Sequence, residues 1–254
     1  MDIRYFPLKV MKRIPYKQIK TLFLDAGNTI VSMDFRWIAD EMGKRGVNTT
    51  VEALCRAEAA SRPVVSKKLS QLKSTELAHF FLFYLRTMLD RLPKTAMKDV
   101  PSLDVLVADL AAALKNSKTR RLWSMVMPGV PEALARLHSM GLQLVVVSNA
   151  DGTVDALFQE IGLRHLFDHI VDSGVVGFEK PDPRIFRHAL SKSGAAPETT
   201  LHVGDVYDVD VTGAWSAGLH ALLLDPFDDW TGMDCERLPD LTALADRMKT
   251  GEAR

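Results

Sequence analysis

The sequence predicts an α/β protein, a doubly wound parallel sheet with an all-helical segment inserted after its first strand. Three observations predict it. After Leu122, short apolar runs alternate with helix-like segments, the pattern of parallel strands joined by crossover helices. An isolated apolar run, "TLFLD" (21–25), is separated from that alternation by residues 34–118, where apolar residues recur at helical spacing and strand signals are scarce. The strands of the core also run into polar residues at their carboxyl ends, where open parallel sheets bind ligands.

The elements follow in order. "VEALCRAEAA", "STELAHFFLFYLRTMLDRL" and "SLDVLVADLAAALKN" carry the helical insertion, with hinges expected near 31–36 and 119–128. "PGVPEALARLHSMG" places Pro131 near a helix start and Gly141 just past its end. "LQLVVVSN" is a buried strand, "DGTVDALFQEIG" a helix ending at Gly162, and "HIVDSG" a short strand. "DPRIFRHALSKSG" is a helix with Pro183 in its first turn and Gly194 after it. "TTLHVGD" and "LHALLLD" are strands, with "DVTGAWSAG" as the helix between them, and "LPDLTALADRMKTG" is a last helix on the edge. The expected organisation is a leader segment at 1–18, a core made of 19–33 and 119–254, and a helical cap at 34–118.

Composition narrows the function classes. Of 254 residues, 47% are apolar, enough to bury the core of one large domain or of a domain with an insertion. Lys plus Arg and Asp plus Glu both number 32, so the net charge gives no general attraction to nucleic acid or to an acidic membrane. "KVMKRIPYK" reads as a solvated leader rather than a basic arm. Cys55 and Cys235 lie far apart without a metal-ligand pattern and read as reduced thiols. The 7 histidines show no zinc-type spacing. No run reaches the roughly 7–15 apolar residues of a signal-peptide core or the roughly 18 of a membrane span. The expectation is a cytoplasmic protein, monomer or homodimer, whose partner is a small molecule.

The polar strand ends carry the chemistry. The first strand ends in Asp25, and the second in Ser148 and Asn149. The third leads into "GVVGFEKPDP" with Lys180, and the fourth into "HVGDVYDVD" with Asp205 and Asp210. If the first strand is central, with strands two and three on one side and four and five on the other, Asp25 and Asp205 meet where strand order reverses. Carboxylates at one buried mouth repel unless a cation lies between them. Mg²⁺ suits a site of few carboxylates plus water. Lys180 facing such a cluster calls for a multiply charged anion. Ser148 and Asn149 read as a helix start whose backbone N–H groups can hold phosphate oxygens. Singly, each residue has an ordinary reading: Asp25 a strand-end turn, Lys180 a surface lysine, Asp205 and Asp210 helix caps, Thr29 a loop-closing hydroxyl. Together they describe a phosphoryl site.

The segments "FLDAGNT", "VVVSN", "FEKPDPRIF" and "HVGDVYDVDVTGAWSAG" resemble, in order, the motifs of the haloacid dehalogenase (HAD) superfamily, in the subgroup with a helical cap inserted after the first strand. The resemblance covers about 20–33 and 119–226. The cap matches in position and helical character only. The resemblance implies a HAD-like Rossmannoid core in which Asp25 is the nucleophile that forms an aspartyl-phosphate. It implies a Mg²⁺ shell from Asp25, the Gly27 carbonyl, Asp205 and Asp210. Thr29, Ser148, Asn149 and Lys180 are then the phosphate-binding candidates, with Lys180 also restraining Asp25.

One position departs from that pattern. Phosphatases of the superfamily usually carry a second aspartate two residues after the nucleophile, to protonate the leaving oxygen and activate water, and here the position is Gly27. Loss of a general acid/base costs on the order of 10²–10⁴ in rate. Another group can stand in, the leaving group can need little protonation (an acyl or aryl phosphate), or hydrolysis can be slow or absent. Asp34 and Tyr207 are candidate substitutes, although Asp34 reads better as the N-cap of "FRWIADEMGKRG". The expected function is a Mg²⁺-dependent phosphohydrolase of a small phosphorylated metabolite, weakened or specialised by Gly27. The alternatives are a slow or inactive protein that binds a phosphorylated ligand or a protein partner, and a metal-independent 2-haloacid dehalogenase, against which Asp205 in "VGD" argues. Lys67 and Lys68, candidates for a Schiff base, read as a solvated face. "HFFLFYL" and Trp123 read as packing. Phe35, Arg36 and Trp37 can line the mouth, and Arg62 can bind a distal anion.

Overall fold

The structure is a computed structural model and describes residues 13–69, 78–97, 102–116 and 121–251. Its strands are β1 (Thr21–Leu24), β2 (Val31–Met33), β3 (Trp123–Val126), β4 (Gln143–Ser148), β5 (His169–Asp172), β6 (Thr200–Gly204), β7 (His220–Leu224) and β8 (Glu236–Leu238). Its helices are α1 (Phe35–Gly43), α2 (Val51–Leu69), α3 (Ala78–Leu89), α4 (Leu103–Asn116), α5 (Val130–Ser139), α6 (Val154–Glu160), α7 (Ser173–Val176), α8 (Pro183–Ser193), α9 (Thr212–Ser216) and α10 (Leu241–Thr250).

Six strands form a parallel sheet in the order β5-β4-β1-β6-β7-β8. Chain order reverses at β1, whose neighbours are β4 and β6. All four residues of β1 are buried, as a central strand covered on both faces requires. Leu22, Leu24, Leu144, Val146, Leu201 and Val203 face one layer, closed by α5 and α10. Phe23, Val145 and Val147 face the other, closed by α8 and α9. This is the doubly wound α/β architecture the strand–helix alternation predicts.

Local chemistry sets the helix ends. Asp182 caps α8 by accepting from the Arg184 amide at 2.9 Å, and Gly194 ends it at φ 67°, where a side chain is disfavoured. Asp240 caps α10 through the Ala243 amide at 2.8 Å. The helices α1–α4 pack around Met33, Ile38, Met42, Leu54, Met88 and Leu106 and form the helical cap. The chain enters and leaves them through an antiparallel ribbon, β2 with β3, in which Met33 pairs with Trp123.

Several details differ from the sequence reading. β8 pairs with β7 at the sheet edge, although its three residues give no strand periodicity. Ser148 and Asn149 do not begin a helix, since α6 starts at Val154. α2 continues through Pro63 to Leu69. A π-helical turn (Tyr207–Val211) precedes α9. Ile14 and Tyr16 of the expected leader are buried in the core, and the Tyr16 hydroxyl donates to Glu236 at 2.9 Å. Residues 1–12 of that leader, and parts of the cap and its second hinge (70–77, 98–101, 117–120), lie outside the described residues. Among the described residues no helix is long and apolar enough to cross a membrane.

Asp34 serves α1 as its N-cap, accepting from the Trp37 amide at 3.0 Å. Asp34→Ala should therefore lower unfolding free energy by about 1 kcal/mol in urea titration, whereas Asp34→Asn, which keeps an acceptor but is no acid, should retain most of it.

Candidate active site

The carboxyl ends of β1, β4 and β6 and the loop before α8 bring the candidate residues to one mouth. The Asp25 amide donates to Val203 O at 2.9 Å, which ties the end of β1 to β6. Lys180 reaches in from the loop before α8. Its ammonium lies 2.6 Å from Asp25 Oδ1 and 2.7 Å from Asp210 Oδ1. Oxygens of Asp25, Asp205 and Asp210 all lie within 4.8 Å of one another. Gly27, Ser148 and Asn149 line the same cavity, of about 790 Å³.

Each charged group is held by specific neighbours. Asp210 Oδ1 also meets His202 Nε2 at 2.9 Å, and its Oδ2 accepts from the Val206 amide at 3.0 Å. The π-helical turn folds this carboxylate back over Gly204, where a Cβ would lie 2.2 Å from Asp210 Cγ; glycine is required there by close approach. His202 is fully buried, and its Nδ1 has no hydrogen-bond partner among the described residues. Burial holds the ring neutral, so its proton sits on Nε2 and is donated to Asp210. The Asn149 side chain clasps the Lys180 backbone in both directions, accepting from Lys180 N at 2.7 Å and donating to Lys180 O at 2.8 Å. Thr29 Oγ1 is buried without a hydrogen-bond partner among the described residues, and Thr29 does not line the cavity.

The electrostatics follow from burial and pairing. Burial raises the Asp25 pKa, and the adjacent Lys180 charge opposes the shift. Burial pushes Asp205 up to about 8, against the pull of Arg62. Burial would also raise Asp210, but the charge of Lys180 and the hydrogen bond from His202 outweigh it and hold this carboxyl well below the usual range. Burial would strip the Lys180 proton, yet Asp210 and Asp25 raise its pKa and keep it an ammonium.

The cap contributes a second layer that the sequence reading did not assemble. Glu58 and Arg62, one turn apart on α2, form a buried ion pair at 2.6 Å. Arg62 Nε lies 3.3 Å from Asp205 Oδ2. Asn28, at φ 50°, donates to both Glu58 (2.9 Å) and Asp205 (3.1 Å). Tyr84 of α3 donates to Glu58 at 2.5 Å. The i,i+4 spacing of Glu58 and Arg62 is the one sequence signal for this network.

The candidate acid substitutes lie elsewhere. Asp34 is an N-cap, and the Tyr207 hydroxyl donates to Asp234 away from the cavity. Trp123, expected as packing, stands over Gly27: its ring lies 3.4 Å from where a Cβ would be. Phe80, Phe81 and Tyr84 of the "HFFLFYL" band also line the cavity.

Glu58→Ala should leave the buried Arg62 with Asp205 as its remaining carboxylate partner and lower unfolding free energy by about 3 kcal/mol in urea titration. Glu58→Gln, which keeps acceptors for Asn28 and Tyr84, should cost less.

Residues 19–218 match the family described as haloacid dehalogenase-like hydrolase. The chain is 36% identical over 126 residues to haloacid dehalogenase-like hydrolase domain-containing protein 3 of Bos taurus, covering 48% of this chain and 50% of that protein. The chain thus spans about half the length of the first curated relatives it matches. It is 27% identical over 207 residues to glyceraldehyde 3-phosphate phosphatase of Methanopyrus kandleri, covering 79% of this chain and 82% of that one. Among solved structures, the magnesium-bound putative HAD-hydrolase YfnB of Bacillus subtilis shares the fold, with TM-score 0.61 at 17% identity over 91% of this chain and 98% of that one. The family match runs from β1 through the cap to the end of α9, and so takes in every strand end that builds the mouth: the chain belongs to the haloacid dehalogenase-like hydrolases.

Proposed function

We propose that the protein is a cytoplasmic Mg²⁺-dependent phosphohydrolase of a small phosphorylated metabolite, with residues 34–118 as a cap over a core of 19–33 and 119–254. The observation that carries this reading is the Lys180 ammonium held against Asp25 beside two further carboxylates at the mouth of the sheet. Such a mouth suits a phosphoryl group gripped from both sides. The phosphatase relative from Methanopyrus kandleri supports the same chemistry.

The residues fit a hard cation. Asp25, Asp205 and Asp210 share a space with one ammonium, Lys180, while Arg62 divides its charge between Asp205 and Glu58, so the carboxylates ionised together carry more negative charge than these cations balance, and burial forces Asp205 up to about 8. In this reading Asp25, the Gly27 carbonyl, Asp205 and Asp210 would hold Mg²⁺, which supplies charge stabilisation for the phosphoryl oxygens. Asp25 attacks phosphorus and carries the phosphoryl group as an aspartyl-phosphate. Lys180 orients the Asp25 carboxylate and holds a phosphoryl oxygen. Ser148 meets the phosphoryl group from the end of β4. Asn149 acts through the backbone of Lys180, and Thr29 through the loop that carries Asn28.

The test is turnover of acetyl phosphate and p-nitrophenyl phosphate with and without Mg²⁺. Activity should need the ion and fall on the order of 10³-fold or more in Asp25→Asn. Turnover that survives both changes would refute the assignment. A second expectation comes from Asp205. A carboxyl titrating at about 8 is largely protonated below that pH and must lose its proton to ligate a cation. Mg²⁺ binding at about pH 6.5 should therefore release a proton, and affinity should rise with pH until it levels off above about 8. Calorimetry in two buffers of different ionisation enthalpy measures this, and binding without proton release at the lower pH would contradict it.

A further inference from the structure

Resting on the phosphohydrolase reading, we propose a substrate class: aryl phosphate monoesters, whose ring lies on an aromatic shelf and whose oxygen departs as a phenolate.

The shelf begins at the reaction centre. Trp123 touches the Gly27 position at 3.4 Å, two residues after Asp25. Tyr84 lies next, its ring 6.2 Å from Trp123 and within 4° of parallel, and Phe80 follows at 6.5 Å and 6°. All three line the cavity, with Phe81 beside them. These stacked rings, with Phe81, give the cavity an aromatic wall beside position 27, against which the group attached to the phosphoryl can pack. Planar rings stack on such a surface better than saturated groups of equal size. A cavity of about 790 Å³ has room for a bicyclic ring beside a phosphoryl group.

The second line of argument is the supply of protons. Beyond Asp25, Lys180, Asp205 and Asp210, the titratable side chains lining the cavity among the described residues are Arg62, Tyr84, Arg121 and Asp151. Arg62 is a permanent cation engaged with Glu58 and Asp205. The Tyr84 proton is committed to Glu58, and burial beside that carboxylate raises its pKa well above the ordinary value. Asp151 is exposed and accepts from the Thr153 amide and hydroxyl, and Arg121 is bonded to Thr153 O at 3.2 Å. Position 27, adjacent to the shelf, has no side chain. An alkoxide leaving group needs a proton donor worth on the order of 10²–10⁴ in rate, whereas a phenol, with pKa of roughly 10, departs far more readily as its anion.

The step balances without a donor. An Asp25 carboxylate oxygen bonds to phosphorus as the bond from phosphorus to the aryl oxygen breaks, and its electron pair leaves on the phenolate. Water then attacks the aspartyl-phosphate phosphorus. The acyl oxygen returns to Asp25 as carboxylate, and both water protons depart on the released dihydrogen phosphate.

The experiment compares phenyl phosphate with benzyl phosphate, which carries the same ring on an alkoxide, using the wild-type protein with Mg²⁺. The phenyl ester should be favoured in kcat/KM by about 10²-fold or more, and Gly27→Asp, which supplies an acid, should narrow that gap. In parallel, phenylphosphonate should bind the wild-type protein about three- to tenfold more tightly than cyclohexylphosphonate, and Trp123→Leu should reduce this ratio. Equal rates for the two esters, or equal binding of the two phosphonates by the wild-type protein, would overturn the proposal. Failure of the wild-type protein to cleave both acetyl phosphate and p-nitrophenyl phosphate overturns the hydrolase reading instead, and the phosphonate pair then still decides the shelf.

Discussion

Lys180 is the group on which the rest of the site depends. Its side chain is 1% exposed, and an ammonium so placed costs several kcal/mol unless it is paired. Two carboxylates offset that cost, one at the end of the central strand and one in the turn after β6. The pairing is mutual. Asp210 stays ionised because Lys180 and His202 face it, and it reaches them only because Gly204 leaves room beneath its carboxylate. Asn149 then fixes the lysine from behind through two backbone hydrogen bonds. The end of β4, the loop before α8, β6 and its following turn are thus locked to β1 by one buried charge network.

Gly27 and Trp123 form the second constraint, and they act as complements. The indole lies in van der Waals contact with the position a Cβ at residue 27 would take, so an apolar surface sits next to the nucleophile. Trp123 belongs to β3, paired with β2 in the ribbon through which the chain enters and leaves the cap. The connection to the cap therefore forms part of the wall of the site.

The cap meets the core through polar contacts as well. Arg62 and Asn28 share Asp205 Oδ2. Ser66 bonds both the Asp208 carboxylate and its amide. Arg56 makes a two-pronged pair with Asp229 and lies over Phe227. The Arg56 pair is exposed and contributes little stability, while the Glu58–Arg62 pair is buried and fixes geometry more than it stabilises. Counter-charge for Asp205 comes from the cap, so the electrostatics of the mouth depend on where the cap sits.

The core strands of the sheet were legible in the sequence because their signals were local. "TLFL", "LQLVVVS" and "TTLHVG" are short apolar runs buried on both faces, and Asp182 and Gly194 mark helix ends through their own backbone chemistry. The polar residues at strand ends were legible for the same reason: position along a strand fixes which end of the sheet a residue reaches. The start of α6 was misread because Ser148 and Asn149 resemble helix caps, and only the partner contacts show Asn149 turned toward Lys180. β8 and the β2–β3 ribbon have three or four residues per strand, too few for periodicity, and exist because a neighbour pairs with them. What tertiary structure alone decided is which side chains share space across the inserted cap. Trp123 over Gly27 and Arg62 beside Asp205 join residues about 96 and 143 positions apart. No periodicity or motif encodes such pairings, because they arise from how two separately packed bodies of side chains meet.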